Sequence, residues 1–161
     1  EEAILALAHT KGHIRRVLGA YDCPPDLCFT EFTPNCARLA AGGVVDLTKA
    51  VLDGRLQNGF AVVRPPGHHA WRSQTRGFCY FNNVAVAAKA ALTHPQCRRV
   101  LILDWDVHHG DGTQDITYDD PNIMYFSIHR GTYFPLAGNH GLGAMQRVGG
   151  GRDYRFLEDN A

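Results

Sequence analysis

Between positions 100 and 112 the chain reads VLILDWDVHHGDG, in which Asp104, Asp106, His108, His109 and Asp111 follow directly on an apolar run. Crowding acids and imidazoles there costs free energy unless a cation or a dense set of hydrogen bonds compensates. On an extended segment, residues two apart leave the same face, so Asp104, Asp106 and His108 can look toward one point. Asp106 and His108, a carboxylate and an imidazole, then supply two of the three protein ligands that a catalytic zinc typically takes. An isolated DxDxH can equally be a strand-end cluster satisfied by backbone amides and ordered water.

A second cluster weighs against that plainer reading. His68 and His69 are adjacent and follow the rigid turn Pro65-Pro66-Gly67, a poor place for two imidazoles unless their orientation is used. Histidine is the natural general base near neutral pH, and a carboxylate on its far nitrogen fixes the tautomer and raises the proton affinity. Asp104 and Asp111 can complete two such dyads. With a metal beside them, this is the equipment for metal-assisted hydrolysis.

The elements that must position these residues can be read from periodicity. Val44, Leu47, Val51 and Leu52 fall at helical spacing, which predicts a helix over 37–52 ended by Asp53-Gly54. GFAVVR (59–64), short, β-branched and closed by PPG, predicts a buried strand, and Asn82 or Asn83 can cap an Ala-rich helix over 84–92. RRVLILDWD (98–106) predicts a second strand, TQDITY (113–118) a short helix and NIMYFSIH (122–129) a third strand. Alternating strands and helices imply a mostly parallel sheet covered on both faces, with the loops after successive strands converging on one ligand at the carboxyl edge. Those loops are PPGHHAWRSQTRGF, VHHGDG and RGTYFP.

Length and composition bound the rest. The 161 residues suit one domain with a real core, and 16 basic against 16 acidic side chains leave no broad footprint for nucleic acid or an anionic membrane. Five cysteines without a CxxC pair read as reduced thiols, and no apolar run reaches membrane-spanning length, so a nuclear or cytoplasmic protein is expected. His9 and His13, one helical turn apart, read as solvated helix residues, with a shared metal as the rarer alternative.

RPPGHHA, GFCYFNNVAVAAK and LDWDVHHGDGTQ resemble the zinc-dependent histone deacetylases, and the PPG and DWDVHHG forms resemble class II most closely. The resemblance is dense from about Cys36 to Pro135. It implies a three-layer α/β domain of the arginase/deacetylase type, with residues 1–161 forming a single, partial catalytic domain truncated at both ends. It further implies that Asp106 and His108 bind zinc, that His69 is the general base, and that His68 is its electrostatic partner, backed by Asp104 and Asp111. Gly77, Phe78 and Phe134 would line a narrow tunnel for the acyl-lysine chain, an apolar slot that suits an extended aliphatic stem made neutral by acylation. Asp104, Asp106, His108, Ser127 and Ile128 would hold a structural potassium ion.

The sequence also departs from the family. The third zinc ligand, an aspartate, and a tyrosine in a glycine-rich loop lie far downstream in relatives, and neither motif occurs here. Class II relatives often carry Asn or Gln where this chain has Asp111, and HRGTYFP is shorter than the usual loop. YDCP (21–24) resembles a class I rim and would make Asp22 a substrate-gripping residue, against the plainer reading of a solvated loop acid. The expected function is hydrolysis of acetyl-lysine amides in histones or other proteins, with corepressor proteins as further partners. An acetylpolyamine amidohydrolase and a non-catalytic fragment acting through protein binding stand as alternatives.

Overall fold

The computed structural model describes residues 2–19, 28–130 and 134–135, with the backbone of 146–148 and 152–154. Asp22 lies outside the described residues. The elements run α1 (Glu2–Leu5), α2 (Lys11–Leu18), α3 (Thr33–Leu52), α4 (Asn83–Ala91), β1 (Val100–Asp104), α5 (Asp111–Thr117), β2 (Ile123–Ser127), β3 (Gln146–Val148) and β4 (Arg152–Tyr154).

Each helix boundary has a local cause. Pro34 sits in the first turn of α3, where a missing N–H costs nothing, and Gly54 takes a left-handed φ of 72° just past its end. Asn82 caps α4 by accepting a hydrogen bond from the Ala85 N–H at 3.0 Å. Helix α4 is the middle of the structure: Ala85, Val86, Ala87 and Ala90 pack toward α1, α2 and α3 with Tyr80 and Phe81, while Ala88 packs against Ile102, Ile123 and Tyr125 of the sheet. Small side chains on both faces allow that double approach.

Strands β1 and β2 pair in parallel from Val100↔Ile123 to Asp104↔Ser127, so the acidic end of β1 and the polar end of β2 lie side by side. The short strands β3 and β4 pair antiparallel. One expectation needs correction. Residues 59–64 lie against α3, with Gly59 on Leu47 and Val63 near Gly43, but join no strand among the described residues. Phe60 and Val62 are almost fully exposed, at 89% and 88%. β-Branched composition reports fit to a pleated surface, and the strand state itself needs a ladder partner. Helix α4 covers one face of the β1–β2 pair, and Leu101 and Leu103 on its other face are exposed among the described residues.

His9 and His13 are buried, at 3% and 1% exposure, contrary to the solvated reading. His9 accepts the Asn82 N–H on Nε2 at 2.9 Å, which leaves its Nδ1–H to donate to the Trp71 carbonyl at 3.0 Å. His13 donates Nε2–H to the Tyr80 carbonyl at 2.7 Å. The two rings lie 4.9 Å apart and tilt against Phe81. They therefore rivet the first helices to the loop between residues 70 and 82, and the nitrogens that a shared metal would need are taken by backbone.

Burial, then the neighbouring His13, lowers the His9 pKa to about 3. The native imidazole thus stays neutral in a window where the unfolded chain, with an ordinary value near 6.5, takes up a proton. Stability present above pH 6.5 is therefore lost as pH falls toward 3, at roughly 1.4 kcal/mol per pH unit from this group. Urea unfolding between pH 7 and 4.5 should show this slope, and His9→Gln, which can still accept and donate but does not titrate, should reduce it. An unchanged slope in the variant would show that His9 is not its source.

Candidate active site

The site is built where β1 ends. The Asp104 carboxylate, largely buried, accepts three hydrogen bonds: Oδ2 from His68 Nδ1 at 3.0 Å and the Tyr125 hydroxyl at 2.9 Å, Oδ1 from the Asp106 N–H at 3.1 Å. Tyr125 is two residues before Ser127 on the buried face of β2, and its hydroxyl also accepts the Gly110 N–H at 3.1 Å. Gly110 has no space for a side chain, since a Cβ there would meet the Tyr125 hydroxyl and Asp104 Oδ2. Burial alone would raise the Asp104 pKa, but the bonds from His68 and Tyr125 outweigh it and hold the carboxyl below its ordinary value. For His68, burial works downward, and the hydrogen bond and charge of Asp104 prevail to raise it. Both shifts favour a charged pair. Burial and the Asp104 charge together push the Tyr125 phenol far up, so it remains a neutral donor.

The second dyad is more deeply enclosed. His69 Nδ1 bonds Asp111 Oδ1 at 2.7 Å, with both side chains about 5% exposed. The other oxygen, Oδ2, accepts Trp71 Nε1–H at 2.7 Å and Arg76 Nη1–H at 3.2 Å. Asp111 opens α5, and Gly112 beside it faces the Ala70 carbonyl with no room for a Cβ, so α5 sits directly on the His69 loop. Asn82 ties the same pieces together from behind: its Nδ2 donates to the Ala70 carbonyl and to Thr113 Oγ1, each at 3.1 Å.

Residues 76–79 make a tight turn, with the Cys79 N–H donating to the Arg76 carbonyl at 2.8 Å and the Arg76 N–H to the Cys79 carbonyl at 3.1 Å. Its two centre residues, Gly77 and Phe78, both have positive φ, at 52° and 66°. Such a turn suits Gly, and for Phe78 it costs about 1–2 kcal/mol. Gly77 lies on the His69 ring, where an added Cβ would stand 2.5 Å from Cδ2. Phe78 is thereby held outward at 61% exposure. A core role for this ring, the ordinary fate of a phenylalanine, does not apply here.

Asp106 and His108 leave the end of β1 together. His108 Nδ1 is 3.1 Å from Asp106 Oδ1, which also accepts the His108 N–H at 2.8 Å, and His68 Nε2 stands 3.9 Å from the same oxygen. Half-exposed carboxylate and imidazole donors this close suit zinc in chemical type. Among the described residues, however, no group of three or more His, Cys, Asp or Glu is arranged to hold a metal. The Phe134 ring stands edge-on to His69 at 5.0 Å and to His108 at 5.8 Å, joining the two clusters. His109 turns away, bonded to Gln114 Oε1 at 2.6 Å and stacked on His129 at 4.5 Å. Ser127 Oγ bonds His129 Nδ1 at 2.8 Å, and the Ile128 N–H donates to the Asp104 carbonyl at 2.9 Å.

The structure therefore gathers His68, His69, Asp104, Asp106, His108, Asp111, Gly77, Phe78 and Phe134 into one region, with Ser127 and Ile128 beside Asp104 through the strand pairing. Tyr125, Trp71 and Arg76 escaped the sequence reading. Tyr125 could have been found from the alternation Ile123, Tyr125, Ser127 on the buried face of β2. Nothing local marks Trp71 or Arg76, because their partner is 35 to 40 positions away.

The Histone deacetylase domain profile matches residues 1–155. The chain belongs to that family. It is 52% identical over 122 residues to Histone deacetylase 4 of Caenorhabditis elegans, covering 73% of this chain and 14% of that protein. It is 51% identical over 125 residues to Histone deacetylase 7 of Homo sapiens, covering 76% and 13%. It is also 56% identical over 111 residues to Polyamine deacetylase HDAC10 of Mus musculus, covering 67% and 17%. Among solved structures, the HDA15 HD domain superposes with a TM-score of 0.80 at 41% identity, over 84% of this chain and 40% of that one. The histone deacetylase fold of that structure accounts for the parallel pair and the helices packed on it. The chain spans about one-seventh of the length of the curated relatives it matches.

The close seat of Gly77 on the imidazole yields a test that needs no turnover. Gly77→Ala places a methyl group against the His69 ring and should displace it from Asp111. The low-field NMR signal of the His69 Nδ1–H should then be lost or move upfield by several tenths of a ppm. An unmoved signal would mean the turn yields instead of the ring.

Proposed function

We propose that the chain is part of the catalytic domain of a zinc-dependent protein lysine deacetylase. The observation that carries this reading is the convergence of two His–Asp dyads on the Asp106–His108 pair, with Phe134 packed across His69 and His108. Asp106 and His108 would hold the zinc, which supplies Lewis-acid polarisation of the amide carbonyl and of the attacking water. His69 takes the proton from that water as general base, and Asp111 keeps the imidazole in the Nδ1–H tautomer with Nε2 open toward the site. His68, its charged form favoured by Asp104, supplies positive charge beside the reacting centre and an Nε2–H donor directed toward Asp106. The departing lysine amine collects its proton from the same imidazoles.

The rings of Phe78 and Phe134 would form walls that admit an acylated lysine stem and exclude water from it. The strand ends bearing Asp104, Asp106, His108, Ser127 and Ile128 would hold a structural potassium through oxygen atoms. The third zinc ligand and the tyrosine that polarises the carbonyl would come from other parts of the whole protein. Acetylated histone tails or other proteins are the proposed substrates, corepressors the proposed partners, and the nucleus or cytoplasm the proposed location. Among the described residues no helix is long and apolar enough to cross a membrane.

The 56% identity to a polyamine deacetylase keeps an acetylated polyamine as the second substrate reading. Rates on an acetyl-lysine peptide and on an acetylpolyamine, measured with the whole protein, separate the two: the peptide should win. His69→Ala should lower turnover by about 10²–10⁴, the usual contribution of a positioned base, with zinc still bound by elemental analysis. Undiminished turnover in that variant would remove the mechanism.

A further inference from the structure

Arg76 has no part in the chemistry above, yet its side chain touches two members of the site. Its Nη1–H donates to Asp111 Oδ2 at 3.2 Å, and its Cζ lies 5.6 Å from the centroid of Phe134, with the guanidinium over the ring. Phe134 in turn stands edge-on to His69, and His69 is bonded to Asp111. The contacts close a circuit: Arg76, Asp111, His69, Phe134 and back to Arg76. We infer that Arg76 is a positioning residue that locks the His69–Asp111 dyad and the aromatic wall at Phe134 into one arrangement. The inference rests on the proposed deacetylase reading for its functional meaning, but its geometry stands without it.

Two features make arginine suited to this place. A planar guanidinium can donate in its plane to a carboxylate while presenting its face to a ring, and an ammonium cannot do both from one position. The backbone of Arg76 is also fixed, because both its N–H and its carbonyl bond Cys79 across the turn that holds Phe78 outward. One short segment thus carries Phe78 directly and braces Phe134 through Arg76. The guanidinium end is partly open, 27% exposed, whereas Asp111 is 5% exposed, so the charge that balances the enclosed carboxylate reaches it from the substrate side.

The test separates the two contacts by substitution in the whole protein. Arg76→Lys keeps a cation beside Asp111 but loses the guanidinium over the Phe134 ring; it should raise KM for an acetyl-lysine peptide about fivefold, the scale of one cation–π contact, with kcat within about twofold. Arg76→Met loses both and should raise KM similarly while lowering kcat about tenfold, the scale of one charge-assisted hydrogen bond. A second readout needs no substrate: in Arg76→Met the NMR signals of the Trp71 Nε1–H, which shares Asp111 Oδ2, and of the Phe134 ring protons should both shift. If neither signal moves, or if both variants lose only thermal stability with kcat and KM intact, the inference is overturned. Failure of the natural protein to hydrolyse the peptide would sink the deacetylase reading alone, since the NMR comparison still decides the role of Arg76.

Discussion

A carboxylate removed from water must find donors for its lone pairs, and the Asp111 carboxylate finds three from three separate residues. That requirement organises the centre of the structure. His69 approaches from the loop after Pro66, Trp71 from two residues further on, and Arg76 from the start of the turn that presents Phe78. Because Asp111 is the first residue of α5, satisfying it draws the whole 68–79 loop onto the N-terminal end of that helix, where partial positive charge also favours an acid. Replacing Asp111 by an apolar residue would leave an indole N–H, an imidazole and a guanidinium without their common acceptor. The group that orients the proposed base is therefore also the one that holds its loop.

The second dyad obeys the same rule with different partners. Asp104 belongs to a strand, so its surroundings come from the neighbouring strand and not from a helix: Tyr125 supplies a hydroxyl, and the ladder brings Ser127 alongside. The two acids lie seven positions apart, yet Asp104 ends strand β1 and Asp111 opens helix α5, where side chains of the 69–76 loop hold it. Placing them on different elements keeps their imidazoles adjacent, with ring centroids 4.0 Å apart, while each nitrogen facing away has its own carboxylate.

Much of this was legible from residue order, for reasons that differ by element. Helices α3 and α4 announce themselves through period and punctuation, Gly54 for one and Asn82 for the other, because helix ends are settled by local hydrogen bonds; the start of α3 at Thr33, four residues before the expected Ala37, was not read from Pro34. The parallel pairing of β1 and β2 follows from the intervening helix α5. Residues 59–64 misled because a short β-branched run closed by PPG describes an extended chain without revealing whether a neighbour is present to pair with it. His9 and His13 misled in the opposite sense: spacing along a helix shows which residues share a face, and it does not show that the face is pressed against Tyr80, Phe81 and Asn82. Histidine reads as polar, but an imidazole with one nitrogen donating and one accepting can be buried at little cost when backbone groups meet both.

The residues that escaped the sequence are those whose meaning depends on long-range pairing. Asn82 looks like an ordinary cap, and it is one, but the cap uses only its Oδ1. Its Nδ2 reaches Ala70 and Thr113, and its backbone N–H reaches His9, so four segments distant in the chain meet at one amide. Trp71 and Arg76 lie in a loop, PPGHHAWRSQTRGF, that was expected to reach the site, but their own parts in it become intelligible only once Asp111 is placed between them. Family resemblance could assign His69 and Asp111 from their motifs. It says nothing of Trp71 or Arg76, since no quoted motif includes a role for them. A motif records the groups that do chemistry, whereas their supports need only deliver the right donor to the right point and can arrive from any neighbouring segment. Support of that kind is therefore found by asking of each buried charge where its hydrogen bonds come from.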